Sequence, residues 1–185
     1  DLGFSDEITA IADACEPREP TLMSSATFTP RETRLAEKLM VEPQQIMLAS
    51  VQEKHENITQ HLHWADNSHH QHQLLLHWLA DPKLDQAVVF TSTQVDTDRL
   101  ADELVALGIS AASLHGAMPQ MVRNRRLESL RKGRIRVLVA TDVAARGIDV
   151  PSITHVFNYG LPMKAEDYVH RIGRTGRAGR EGVAV

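Results

Sequence analysis

The sequence runs to 185 residues, 42% hydrophobic and 24% charged, with 20 Lys/Arg against 24 Asp/Glu. That make-up belongs to a folded globular chain and excludes a disordered or fibrous one. No apolar run approaches the roughly 20 residues of a membrane span, no signal-peptide pattern opens the sequence, and the lone Cys15 excludes an internal disulfide. A cytoplasmic protein without a membrane partner is therefore expected. The near-neutral total hides an asymmetry: residues 1–114 hold 7 Lys/Arg against 18 Asp/Glu, whereas residues 115–180 hold 13 against 5. A basic second half is the electrostatic footprint of a phosphate-binding surface.

Residues 1–14 place Ile8, Ile11 and Ala12 at helical spacing. Two prolines make 16–20 a loop, and residues 21–24 read as a short buried strand running into Ser25-Ala26-Thr27. Pro30 opens a helix that puts Leu35, Leu39 and Met40 on one face, and 45–48 reads as a brief strand. Residues 49–57 are polar without an apolar period and form a linker. Ile58, Gln60, Leu62 and Trp64 alternate as in a strand. Seven of the ten histidines fall between His55 and His77, but no cysteine or ordered carboxylate completes a metal-ligand set there, so no metal site is expected.

Beyond residue 73 helix and strand alternate. Helices are expected over 74–79, 96–107, 119–132 and into His170, strands over 87–90, 109–114, 135–140, 153–157 and from 182. Gly108 and Gly133 stop two of the helices. Alternation with near-continuous apolar strands marks a parallel α/β sheet flanked by helices, whose ligands gather at the carboxyl ends of strands. All the candidate motifs are expected at that edge.

Residues 137–149 form a strand emptying into Thr141, two acids, Arg146 and Gly147. Thr141 and the amides beyond it suit a phosphate, and Asp149 suits the hydroxyls of a ribose. Residues 170–180 pack four arginines and three glycines behind a helix. Arginine presents a permanently charged planar fork that matches phosphate oxygens, and Arg174 and Arg177, three apart, share a face. Gln120 and Arg123 open a helix with the same spacing, and Arg125, Arg126, Arg131 and Lys132 extend its basic character.

The string from His170 to Arg180 resembles the last signature motif of the DEAD-box RNA helicases, enzymes built from paired RecA-like domains. Residues 137–149 resemble the family's fifth motif, 115–123 the Gln-x-x-Arg element before it, 88–93 the fourth motif, and Ser25-Ala26-Thr27 the third. Residues 1–4 look like the stretch just downstream of the DEAD box. The resemblance implies residues 1–48 as the end of a first RecA-like domain and 58–185 as a second, RecA-like helicase C-terminal domain. It implies that Arg174 and Arg177 reach the terminal phosphate of ATP and act catalytically, with Gly147 and Asp149 also facing the nucleotide. Gly116, Gln120, Arg123 and Thr141 would contact RNA, with Thr91 or Thr93 near it. Ser25, Thr27, His170 and Arg171 would couple the two domains, and Gly173 and Gly176 would permit close approach.

No phosphate loop of the Gly-x-x-x-x-Gly-Lys-Ser/Thr type occurs in the sequence, nor a DEAD box. The family's Mg2+ ligands are thus expected in the missing front of the first domain, and this chain alone is expected to be inactive. The implied function is ATP-dependent unwinding of short RNA duplexes or remodelling of RNA–protein complexes. Two alternatives stand beside it: an ATP-dependent RNA clamp that unwinds little, and a DNA helicase of the same superfamily, which His170 and the Ser-Ala-Thr motif disfavour.

Overall fold

The computed structural model describes residues 4–15, 21–25, 30–46, 56–145 and 148–185. The chain divides into two compact units, residues 1–54 and 55–185. In the first, helix α1 (Ser5–Ala14) and helix α2 (Pro30–Leu39) meet, with Lys38 Nζ 3.5 Å from Thr9 Oγ1. Residues 21–25 are irregular rather than a strand, and Leu22 is exposed. A strand needs a ladder partner, and no described residue of this unit supplies one. Residues 43–46 are likewise irregular, and Met47 and Leu48 lie outside the described residues.

The second unit is built on six parallel strands: β1 (Ile58–Gln60), β2 (Gln86–Phe90), β3 (Ala111–Leu114), β4 (Val137–Ala140), β5 (Ile153–Phe157) and β6 (Gly182–Ala184). Their spatial order is β1-β6-β5-β2-β4-β3. Every residue of β2 and β4 is buried, as expected of central strands covered on both faces. Strand β1 stops at Gln60 instead of reaching Trp64. Its only partner, β6, offers three residues, with Ile58 opposite Gly182 and Gln60 opposite Ala184. Leu62 and Trp64, which alternate correctly for a strand, are exposed.

The helices between the strands are α3 (Ser68–Leu79), α4 (Gln94–Ala106), α5 (Gln120–Arg131), the short α6 (Asp142–Ala145) and α7 (Ala165–Ile172). Polar side chains start two of them: Asn67 accepts from the His70 amide at 2.9 Å, and Thr93 from the Asp96 amide at 3.1 Å. Gly108 and Gly133 follow α4 and α5 in the left-handed region, with φ of 82° and 69°. Alternate residues of β2 serve opposite faces. Ala87 and Val89 pack with Leu75 and Leu79 of α3 and Leu100 and Leu104 of α4, while Val88 and Phe90 pack with Leu130 of α5 and Ala144 and Ala145 of α6.

His155 of β5 is 1% exposed and lies between Trp78 and Phe157. Its Nδ1 is 2.9 Å from Thr154 Oγ1, while Nε2 makes no hydrogen bond and stands 3.6 Å from Asp81. Burial lowers its pKa from the ordinary value, with Asp81 opposing. The unfolded chain takes up this proton near pH 6.5 while the folded chain resists it, so stability falls as pH drops below about 6.5 and levels off below the folded value. The urea midpoint followed by tryptophan fluorescence should be lower at pH 5.5 than at pH 7.5. His155→Gln should flatten that dependence; an unchanged slope in the variant would assign it to another group.

Candidate functional site

All strands being parallel, their carboxyl ends share one edge. Strand β3 empties there into His115 and Gly116, and β4 into Thr141, whose amide donates to Leu114 O at 3.2 Å. Gly116 is exposed, and a Cβ built on it meets nothing within 4 Å. On the first turn of α5, Arg123 Nη1 donates to Gln120 Oε1 at 3.1 Å, and Gln120 Nε2 to Asn124 Oδ1 at 2.8 Å. Arg123 Nε is buried without a partner among the described residues. Gly116, Gln120 and Arg123 thus follow the carboxyl end of β3, and Thr141 that of the neighbouring β4. Thr91 and Thr93 follow β2 at the same edge, with their hydroxyls engaged by neighbouring groups. Thr91 is buried with its hydroxyl 2.7 Å from that of Thr97, and Thr93 caps α4.

Only part of the arginine-glycine string shares that edge: Arg171 binds Asp142 and Gly160 there, whereas residues 175–180 lie away from it. After β5 the chain turns into α7, whose eight residues carry it back about 12 Å along the sheet. It ends against the strand starts: Thr175 Oγ1 donates to Ile153 O at 2.7 Å. Gly176 has φ 67°, and a Cβ there would lie 2.6 Å from Ile58 Cγ1. The glycine expected to admit a ligand is thus required by the chain's own packing. The expectation that every motif gathers at the carboxyl edge is corrected for residues 175–180 by this return of α7.

Arg174 and Arg177 meet Asp149 at this second place. Arg177 Nη1 is 2.5 Å from Asp149 Oδ1, and Arg177 Nε donates to Gly173 O at 2.9 Å. Arg174 donates through Nη1 to Ile148 O at 3.0 Å and through Nε to His170 O at 3.1 Å. Burial, and then the Arg177 charge beside it, hold the Arg174 guanidinium below its ordinary pKa, with Asp149 opposing. Two crowded cations facing one largely exposed carboxylate form a place where added negative charge is favourable. Gly147, assigned to the same site, lies outside the described residues, as does Thr27; Ser25 is exposed in the first unit.

Arg171 occupies the space between the two places. It is 2% exposed and forks onto Asp142, Nε to Oδ1 at 2.6 Å and Nη2 to Oδ2 at 2.8 Å. Its Nη1 donates to Gly160 O and lies 3.4 Å from Asn158 Oδ1, and its guanidinium sits 5.0 Å from the centre of the Phe90 ring. Expected to couple domains, Arg171 spends its donors inside its own unit. His170 lines a groove of about 20 Å³ with Phe90, Asp142, Asp167 and Arg174, room for about one water. A larger cavity of about 430 Å³, among Leu74, Trp78, Tyr159, Tyr168 and Val185, contains none of these residues and no phosphate-binding cation. Among the described residues no group of three or more His, Cys, Asp or Glu could hold a metal ion, and no helix is long and apolar enough to cross a membrane.

Sequence reasoning missed both acid–arginine pairs. Their signal is present in the spacing: Asp142 precedes Arg171 by 29 residues and Asp149 precedes Arg177 by 28. Two acids of one string thus face two arginines of the other.

Comparison with known proteins gives a consistent result. Residues 70–179 match the helicase conserved C-terminal domain family. The ATP-dependent RNA helicase SrmB of Escherichia coli is 40% identical over 186 residues, covering 100% of this chain and 42% of that protein. The crystal structure of E. coli DEAD-box protein SrmB bound to regulator of ribonuclease activity A is 44% identical, with a TM-score of 0.62, covering 69% of this chain and 72% of that one. S. cerevisiae Dbp5 bound to RNA and ADP BeF3 is 30% identical with a TM-score of 0.85, covering 100% of this chain and 49% of that one. The chain therefore spans less than half the length of the curated SrmB it matches.

Because Arg171 is buried, removing its counter-charge is costly. Asp142→Ala is expected to destabilise the chain by about 3–5 kcal/mol, read as a lower urea midpoint. The double variant Asp142→Ala/Arg171→Met should regain part of that loss, since no charge is then stranded; no recovery would show that the loss is not electrostatic.

Proposed function

The chain belongs to the DEAD-box RNA helicase family, and from that we propose that it forms part of an enzyme that couples ATP hydrolysis to unwinding short RNA duplexes or remodelling RNA–protein complexes. In this reading residues 1–48 close a first RecA-like domain, 49–57 link it to a second, and 58–185 belong to that second domain. A cytoplasmic location goes with the same reading.

The observation that carries the proposal is the Asp149–Arg174–Arg177 cluster. Hydrolysis of ATP spreads negative charge over the equatorial oxygens of the transferring phosphoryl group, and positioned guanidinium groups stabilise that charge. Arg174 and Arg177 supply two such groups, and their mutual crowding is relieved when phosphate arrives. Asp149 releases Arg177 toward the phosphate and accepts from the ribose. Attacking water, phosphate loop and Mg2+ ligands belong to the first domain, and no residue of this chain is assigned to them. At the other edge Gly116, Gln120, Arg123 and Thr141 hold the RNA backbone through its phosphates, so affinity is sequence-tolerant and falls with salt.

Two measurements test this. The chain as given should show no ATP turnover, with or without single-stranded RNA. In the full-length protein Arg174→Ala should lower RNA-stimulated turnover by about 10³-fold while RNA binding persists. Unchanged turnover would remove Arg174 from the role.

A further inference from the structure

The segment from Gly116 to Arg123 has little of its own to hold it in place. Residues 115–119 cross from β3 to α5 with few backbone bonds: Met118 N to His115 O at 3.3 Å, and Val122 N and Arg123 N to Pro119 O at 2.9 and 3.2 Å where the helix begins. Helix α5 has no side-chain cap at Pro119, and its one buried residue, Leu130, lies near the far end. Core packing, by Leu130 and the partly buried Leu127, thus holds the second half of α5 rather than its first turn.

Side chains from two helices hold the crossing and that first turn. Asp98 of α4 accepts from Ser113 Oγ at 2.6 Å on one oxygen and pairs with His115 Nε2 at 3.0 Å on the other. A carboxylate only accepts, so His115 Nε2 carries the donated proton. The Ser113 hydrogen bond, and behind it the His115 contact, lower the Asp98 pKa against the opposing effect of burial, so the group is ionised at neutral pH. From the other side Arg126 of α5 donates through Nη1 to Ser113 O at 2.5 Å and Ser113 Oγ at 2.7 Å, with Met118 Sδ at 3.1 Å. Ser113 thus joins a carboxylate on one helix to a guanidinium on the next. His115 and Met118, at either end of the crossing, are held by the same two groups.

We propose that Asp98 and Arg126 are positioning residues for the RNA contact, fixing the Gly116–Arg123 segment in the geometry that grips the RNA backbone. The inference rests on the RNA reading of that edge. Neither residue needs to touch RNA: Arg126 Nη1 is spent on three internal acceptors, and Asp98 carries the wrong sign for a phosphate.

That wrong sign provides the test. Binding of a single-stranded oligouridylate to the full-length protein is measured by fluorescence anisotropy over a range of salt, alongside steady-state ATP turnover. If Asp98 were only a surface charge near the RNA, Asp98→Asn would tighten binding, because a repulsive carboxylate is removed. As a positioning residue its loss weakens binding by about tenfold, the worth of one charge-assisted hydrogen bond. Arg126→Lys keeps the charge, but its ammonium on a shorter side chain falls short of the acceptors that Arg126 Nη1 holds, so it should weaken binding comparably and leave the salt slope unchanged. For both variants the RNA concentration giving half-maximal turnover should rise while turnover at saturating RNA and turnover without RNA stay the same.

Tighter or unchanged binding by Asp98→Asn, wild-type binding by Arg126→Lys, or a fall of saturated turnover in step with affinity would each overturn the inference. Arg123→Ala separates it from the reading beneath. It should weaken binding and reduce the salt slope by about one; if it binds as wild type, the RNA reading fails. If Arg123→Ala weakens binding while the two positioning variants do not, only the inference fails.

Discussion

A buried arginine is the constraint around which the second unit is arranged. Burying a guanidinium is tolerated only where its donors are answered, and Arg171 answers them with a carboxylate from behind β4, a carbonyl from the loop after β5 and the face of Phe90. Each acceptor sits on a different element, so one side chain fixes α6, the 158–160 loop and α7 together. Asp142 directly follows Thr141, and Arg171 stands one turn before Arg174. The pair is thus a short mechanical path between the edge proposed for RNA and the cluster proposed for ATP.

The two places differ in electrostatic character. At the carboxyl edge Arg123 is engaged only with its helix neighbour Gln120 among the bonds described. At the strand starts the arginines are already engaged, Arg177 with Asp149 and Arg174 with backbone carbonyls. A nucleotide there must displace existing partners, so net binding is weaker than the number of charges suggests.

Much of this was legible in the sequence, because the strands are central and the helices capped. The runs 87–90 and 137–140 are apolar enough that only burial on both faces suits them, and the structure buries them. Failures came where a strand's existence depends on its partner. Residues 21–24 and 62–64 have the pattern of strands but no ladder to join among the described residues, and pattern alone carries no information about neighbours. The position of the arginine string was missed for a similar reason, since periodicity shows that a helix follows β5 but not how far it returns. The Ser113-centred network escaped because its members are single polar residues on three elements, each ordinary for a surface.

Strand β6 is last in the sequence and yet sits between β5 and β1. Ile58 finds its partner only in Gly182, at nearly the full length of the unit. During synthesis β1 leaves the ribosome early and waits unpaired while the rest of the sheet is made. Closure of so long a loop is a slow, non-local event, and until it occurs Ile58 and Ile172, which pack with Ala184, lack part of their cover. The interval between emergence of β1 and arrival of β6 is therefore when this edge of the sheet is most open to wrong pairing.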